Sequence, residues 1–238
     1  MASHEPPQRG DYMSDPSLRA ELHFVPINRD TIQERIYRQV ADLILDGEVA
    51  PGQQVTIQRL TESFQVSATP VREALKRLAA NGALTFVNGR AMGIPRIDQD
   101  RLDDLRAVRL EVESLAVTWA AERRTDAHLA AIRQEKHHLE RAVADNDVSA
   151  YLRSNRAFHF AIYRASGSPT LVNIIENLWL QIGPYFNLLR ESDNYASSNE
   201  RHRAMWESIR ARDAVAAREA LAGDINGAYE IISRMLAS

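Results

Sequence analysis

Cysteine is absent from the 238-residue sequence, so disulfide bonds and thiolate metal ligands are excluded. This absence fits the reducing environment of the cytoplasm. No apolar run approaches the roughly 20 residues that a membrane-spanning helix needs, and the N-terminus lacks the apolar segment of a secretory signal. We therefore expect a cytoplasmic protein that has no membrane partner.

A surplus of positive charge is also absent, because 29 Lys and Arg residues stand against 32 Asp and Glu residues. Residues 29–97 carry nine basic and seven acidic side chains, whereas residues 98–238 carry 18 basic and 21 acidic ones. Any binding to nucleic acid would therefore depend on individually placed basic residues rather than on bulk charge.

Signals for helix, turn, helix and hairpin follow one another in the first half of the chain. A short helix is expected over 56–64, and a second helix opens at Thr69-Pro70, where proline fits the first helical turn. Strands predicted over 84–87 and 92–94 flank Asn88-Gly89, a strong signal for a two-residue hairpin. This order predicts a winged helix-turn-helix, whose second helix lies in the DNA major groove.

One face of the second helix carries Thr69, Arg72 and Lys76, which helical spacing places side by side. The pattern alone leaves two readings open. The face binds DNA, or it is the ordinary solvated side of an amphipathic helix pair.

Residues 67–78, SATPVREALKRL, resemble the S-R-T-P-V-R-E-A-L-x-x-L signature of the GntR family of bacterial transcription regulators. Residues 36–52 are similar to the first helix of that family and the turn after it. The resemblance implies DNA contacts from Gln58, Ser67, Ala68, Thr69, Arg72, Lys76, Asn88, Gly89 and Arg90.

Two of these positions make the expected DNA preference differ from the family consensus. Ala68 stands where the family carries arginine, so one contact that reads guanine is lost, while Gln58 is suited to pair with adenine. Arg90 at the wing tip is expected to enter the minor groove or to meet a phosphate.

After residue 97 the chain predicts five or six amphipathic helices and no clear strand. The expected fold class is therefore mainly α: a winged helix-turn-helix with a small β-hairpin wing, followed by an all-α bundle. The predicted domains are a disordered tail over 1–27, a DNA-binding domain over 28–97, and an effector-binding and dimerisation domain over 98–238. Gly183-Pro184 is expected to kink the fourth helix of the bundle.

Three segments of the bundle resemble the FCD-type ligand-binding domain of the FadR subfamily within the GntR regulators. They are residues 105–113, residues 155–171, and His202 followed by Asp213-Ala214.

That resemblance implies a pocket-facing Arg109 with Glu113 one turn later. An arginine there binds a ligand carboxylate through two parallel hydrogen bonds; the alternative is an internal Arg–Glu pair. Tyr185, just after the expected kink, is predicted to reach the same pocket.

Metal-binding members of the subfamily carry Asp or Asn, then His, and later two further His. Here Asn155 and His159 are four residues apart on one helix and share a face. His202 follows, and Asp224 takes the last position in place of His. Two imidazoles and one carboxylate suit Zn²⁺ or another divalent first-row ion, with Asn155 as a weak fourth ligand. The alternative is a pair of hydrogen-bonded core histidines.

We therefore expect a homodimeric transcription regulator that is not an enzyme. It binds a palindromic double-stranded DNA operator as a repressor and is released by a small carboxylate metabolite. Two alternatives from other classes remain at this stage: a metal-dependent enzyme that uses the His/Asp site, and a DNA-architectural protein with a vestigial ligand domain.

Overall fold

The computed structural model describes residues 31–87, 91–191 and 195–237. The elements in chain order are α1 (Ile32–Leu45), β1 (Gln54–Val55), α2 (Ile57–Phe64), α3 (Ala68–Ala80), β2 (Thr85–Val87), β3 (Ala91–Gly93), α4 (Gln99–Arg123), α5 (Asp126–Ala144), α6 (Val148–Ala165), α7 (Pro169–Ile182), a 3-10 helix (Gly183–Glu191), α8 (Tyr195–Ala211) and α9 (Ala214–Ala237). None of the described helices is both long enough and apolar enough to cross a membrane. The tail predicted over 1–27 and the wing tip at 88–90 lie outside the described residues.

The N-terminal elements form the winged helix-turn-helix that the sequence predicts. Helices α1 and α3 pack against each other, and Ile44, Leu75 and Leu78 in them are fully buried. The three strands form an antiparallel sheet in the order β1-β3-β2. Strand β1 is an addition to the prediction, because two residues are too few to give a sequence signal. Gly93 allows the close packing, since a Cβ there would lie 2.7 Å from the Gln53 backbone oxygen.

The second half of the chain forms the predicted all-α bundle. Helix α4 packs on α9, α5 on α6, and α8 on α9. Five of the described bundle helices, α4 to α7 and α9, begin where a short polar side chain accepts a hydrogen bond from the backbone N–H three residues later, which satisfies a group that the first turn leaves unpaired. These N-cap residues are Asp98, Thr125, Asp147, Ser168 and Asp213.

At Gly183-Pro184 the chain changes helix type instead of only bending. Helix α7 ends at Ile182, and a 3-10 helix continues from Gly183 to Glu191. The cause is that proline has no N–H with which to continue the α-helical ladder. Gly183 also lies against α1, because a Cβ there would be 3.0 Å from the Ile44 carbonyl oxygen. The end of α7 is therefore packed directly on the winged helix-turn-helix.

Candidate functional site

The second helix of the helix-turn-helix exposes the three side chains that spacing placed on one face. Helix α3 follows Ser67, whose side chain makes no capping hydrogen bond. Thr69, Arg72 and Lys76 are all exposed. The amine of Lys76 lies 2.8 Å from the Glu73 carboxylate, but both side chains are largely in solvent. Such an exposed ion pair contributes little to folding stability, so the lysine stays available to a DNA phosphate.

The remaining predicted DNA contacts differ in their surroundings. Gln58 on α2 is exposed, and its amide donates to the Glu62 carboxylate at 3.0 Å. Ala68 is half-buried in the first turn of α3. The wing-tip residues Asn88-Gly89-Arg90 lie outside the described residues, so their contacts stay predictions.

Three of the four predicted metal ligands converge inside the bundle. His159 on α6, His202 on α8 and Asp224 on α9 each place one ligand atom within 4.8 Å of the other two. His159 Nε2 lies 3.2 Å from His202 Nε2 and 3.3 Å from Asp224 Oδ2. His202 Nε2 lies 3.6 Å from Asp224 Oδ1, which is beyond a normal hydrogen bond. Asn155 is half-buried one turn before His159, and its part in the site stays a prediction.

A chain of hydrogen bonds supports His159 from its other ring nitrogen. The Tyr163 hydroxyl donates to Glu113 and lies 3.2 Å from His159 Nδ1. Because Tyr163 has only one proton to give, its oxygen accepts the Nδ1 proton of His159. We infer that His159 carries a lone pair on Nε2, which faces Asp224. A metal-binding histidine is commonly held in this way by a partner on its second nitrogen.

The charges of the cluster suit a cation. Burial lowers the pKa of His159, so its ring is neutral near pH 7. Burial by itself raises the pKa of Asp224, but the two adjacent imidazoles, His202 and His159, outweigh it and hold this pKa well below its usual value. Ser198 donates to Asp224 Oδ1 at 2.9 Å and leaves Oδ2 facing His159. A carboxylate and an imidazole lone pair therefore point at the same buried space.

The predicted effector residues have protein partners in this structure. Arg109 Nε donates to Glu113 Oε1 at 2.6 Å, which is the internal Arg–Glu pair given above as the alternative. The hydroxyl of Tyr185 donates to the Pro95 carbonyl in the segment that leads into α4. Burial raises the pKa of Tyr185 to about 12, so this hydroxyl keeps its proton. Neither geometry supports a free contact with a ligand, and the effector roles of these residues stay predictions.

Comparison with known protein families matches both halves of the chain. The FCD domain matches residues 104–227, more than half of the sequence, and the family described as "Bacterial regulatory proteins, gntR family" matches residues 32–94. The chain belongs to the GntR family of transcription regulators. It is therefore a DNA-binding regulator of the FadR-like, FCD-containing type and not an enzyme.

Similar proteins extend this GntR assignment to most of the chain. The transcriptional regulator McbR of Escherichia coli K12 is 33% identical over 179 residues, which cover 74% of this chain and 81% of McbR. The transcriptional repressor GlaR of the same organism is 25% identical over 210 residues, covering 84% and 96%. The solved structure of E. coli McbR/YncC has a TM-score of 0.80 at 29% identity, covering 87% of this chain and 99% of that one.

Two residues that support the buried cluster of this GntR regulator were not singled out from its sequence. Tyr163 lies four residues after His159, and Ser198 lies four residues before His202. The same helical spacing that paired Asn155 with His159 marks both of them. By spacing alone, a residue four positions before a histidine and one four positions after it are equally good candidates. Only the structure therefore distinguishes Tyr163 and Ser198 from other polar neighbours.

The exposed position of Arg72 on α3 generates a first prediction. Replacing Arg72 with alanine should weaken binding to a selected operator duplex by about 1–3 kcal/mol if the side chain reads a base. Fluorescence anisotropy with a duplex that the wild-type protein selects from random sequences measures this loss. Arg203→Ala, which removes an equal charge from an exposed site on α8, should bind as the wild type does. Equal affinities of Arg72→Ala and the wild type for the duplex would show that Arg72 does not contribute to the DNA interface.

Proposed function

We propose that this GntR regulator is a homodimeric repressor that a small carboxylate metabolite releases from a palindromic operator. The winged helix-turn-helix over 28–97 binds the operator, and the bundle over 98–238 binds the metabolite and joins the two chains. The observation that carries the proposal is the set of His159, His202 and Asp224, two buried imidazoles and a mostly buried carboxylate, inside the bundle of a DNA-binding protein. A bundle that served only to join two chains would have no need of such a set, because buried polar groups are costly without partners.

The donor atoms fit Zn²⁺ or another divalent first-row ion. Two imidazoles and one carboxylate are a common ligand set for such ions, and three protein ligands leave at least one further position open. When bound, the cation supplies a Lewis-acidic position that takes a carboxylate oxygen of the metabolite. His159, His202 and Asp224 would hold the ion, and Tyr163 would keep the Nδ1 proton of His159 in place.

An exposed apolar surface on the bundle supports the homodimer. Val108 and Leu115 on α4 and Ile174 on α7 have exposed fractions of 40%, 41% and 46%. The two helices run antiparallel, since Arg101 near the start of α4 bonds Gln181 near the end of α7. This arrangement places all three apolar residues along adjacent helices. Covering such a surface with a second copy removes it from water.

A dimer with two-fold symmetry determines the form of the operator. Its half-sites lie about one helical turn of DNA apart, or a multiple of that, because each chain places one α3 in the major groove. The repressing direction is supported by the 25% identity to GlaR, which is named a repressor.

The hydrogen bond between Tyr163 and His159 predicts the metal affinity of the cluster. Replacing Tyr163 with phenylalanine removes the group that fixes the His159 ring, so Zn²⁺ affinity should fall about 10–100-fold. Titration calorimetry with Zn²⁺ measures the change. Tyr185→Phe removes an equivalent hydroxyl that bonds Pro95 instead, and its Zn²⁺ affinity should match the wild type. If Tyr163→Phe binds Zn²⁺ as tightly as Tyr185→Phe, the support assigned to Tyr163 is wrong.

The proposed function predicts operator release by one class of compound. In anisotropy titrations with Zn²⁺-loaded protein, the selected duplex should bind two chains, and at least one compound in a panel of mono- and dicarboxylic acids should weaken this complex. His159→Ala should keep its affinity for the duplex, because α3 is unchanged, but should lose the response to the acid.

Three outcomes would contradict the proposed function. A single chain per duplex would rule out the dimer, and a panel without effect would rule out carboxylate control. Equal responses of the wild type and His159→Ala would place the metabolite outside the cluster.

A further inference from the structure

The wing carries an aromatic side chain that the fold leaves in solvent. Phe86 on β2 is 69% exposed, although other large apolar residues of the winged helix-turn-helix, such as Leu75, Leu78 and Ile94, are fully buried. Burying a phenyl ring is strongly favourable. An exposed ring at this position therefore indicates that a binding partner covers it in the functional complex.

The strand register shows where the ring of Phe86 stands. Phe86 pairs with Met92 across β2 and β3, and Met92 pairs with Val55 across β3 and β1. Paired residues project from the same face of a sheet. Val55, Met92 and Phe86 therefore form one apolar row across the wing, and exposure is greatest at Phe86 on the outer strand.

The same row borders a groove shared with the DNA-facing helix. The groove has a volume of about 340 Å³ and a mostly apolar lining that includes Leu75 and Met92. Its remaining wall includes Arg72 and Lys76, two exposed cations of α3, together with Phe86. An apolar surface beside two cations matches the duplex, in which negative phosphates border base edges and sugars.

From this placement we propose that Phe86 contacts a thymine methyl group at the edge of each operator half-site. The inference rests on the DNA-binding function of the chain. The proposed contact extends the DNA-facing surface of α3. Arg72 and Lys76 attract the DNA phosphates and so hold the groove against the duplex. Thymine is the base that presents an apolar group in the major groove, and phenylalanine is among the side chains that pack against it. Phe86 thus adds sequence preference at a position beyond the bases that α3 reads.

The test replaces thymine with uracil, which lacks only the methyl group. The wild-type protein first selects its operator from a random duplex library, and each thymine is then changed singly to uracil. At one position per half-site, wild-type affinity should fall about fourfold, the factor expected for burying one methyl group. Phe86→Ala should bind the unmodified operator at least as weakly as the wild type binds the uracil-containing operator. Uracil at that position should cause no further loss of affinity for Phe86→Ala.

The matched control is Val215→Ala, because Val215 is equally exposed at 70% but lies in the first turn of α9 in the bundle. This variant should show the wild-type loss with uracil. The inference is overturned if Phe86→Ala keeps wild-type affinity, or if it retains the wild-type ratio between thymine and uracil at every position. It is also overturned if Phe86→Ala weakens self-association instead, since the groove would then join two copies. A wild-type protein that selects no duplex would overturn the DNA-binding function as well.

Discussion

The packing of two buried imidazoles and a mostly buried carboxylate in an apolar bundle is the constraint on which the ligand domain depends. His159, His202 and Asp224 come from three helices, and Glu113 adds a fourth through Tyr163. Buried polar groups destabilise a fold unless each one is paired, and a partly paired network is worse than an apolar core. The helices must therefore hold their relative positions closely, and a cation that binds these donors also joins α6, α8 and α9.

Helix α7 contacts both this cluster and the turn that follows the DNA-facing helix. The Trp179 ring centroid lies 5.4 Å from that of His159. Two residues later, Gln181 packs against Gly82 just after α3, where a Cβ would come within 3.0 Å of its side chain. Packed interiors shift between discrete arrangements rather than deform continuously. A ligand that moves Trp179 therefore has a direct route to the end of α3, which gives the proposed release of the operator a structural basis.

The sequence predicted the parts that depend on local signals. Capping residues and breakers placed the helices. The family resemblance, together with helical spacing, selected residues 155, 159, 202 and 224, and three of these four side chains meet in the structure. Features that depend on tertiary packing could not be read in this way. Glu113 binds both Arg109 and Tyr163, and Tyr185 bonds the chain just before α4. Strand β1 forms only because β3 is present to pair with it. The exposure of Phe86 likewise became visible only when the wing was folded.

The central claim is that the buried cluster binds one divalent cation per chain. Elemental analysis after incubation with Zn²⁺ and removal of the free ion tests this most directly, with Asp224→Asn as a variant of nearly equal shape. One Zn²⁺ per wild-type chain and a clear loss in Asp224→Asn are expected, because the amide cannot supply the negative charge of the carboxylate. A wild-type chain that retains no Zn²⁺, or an Asp224→Asn variant that retains as much, would contradict the claim.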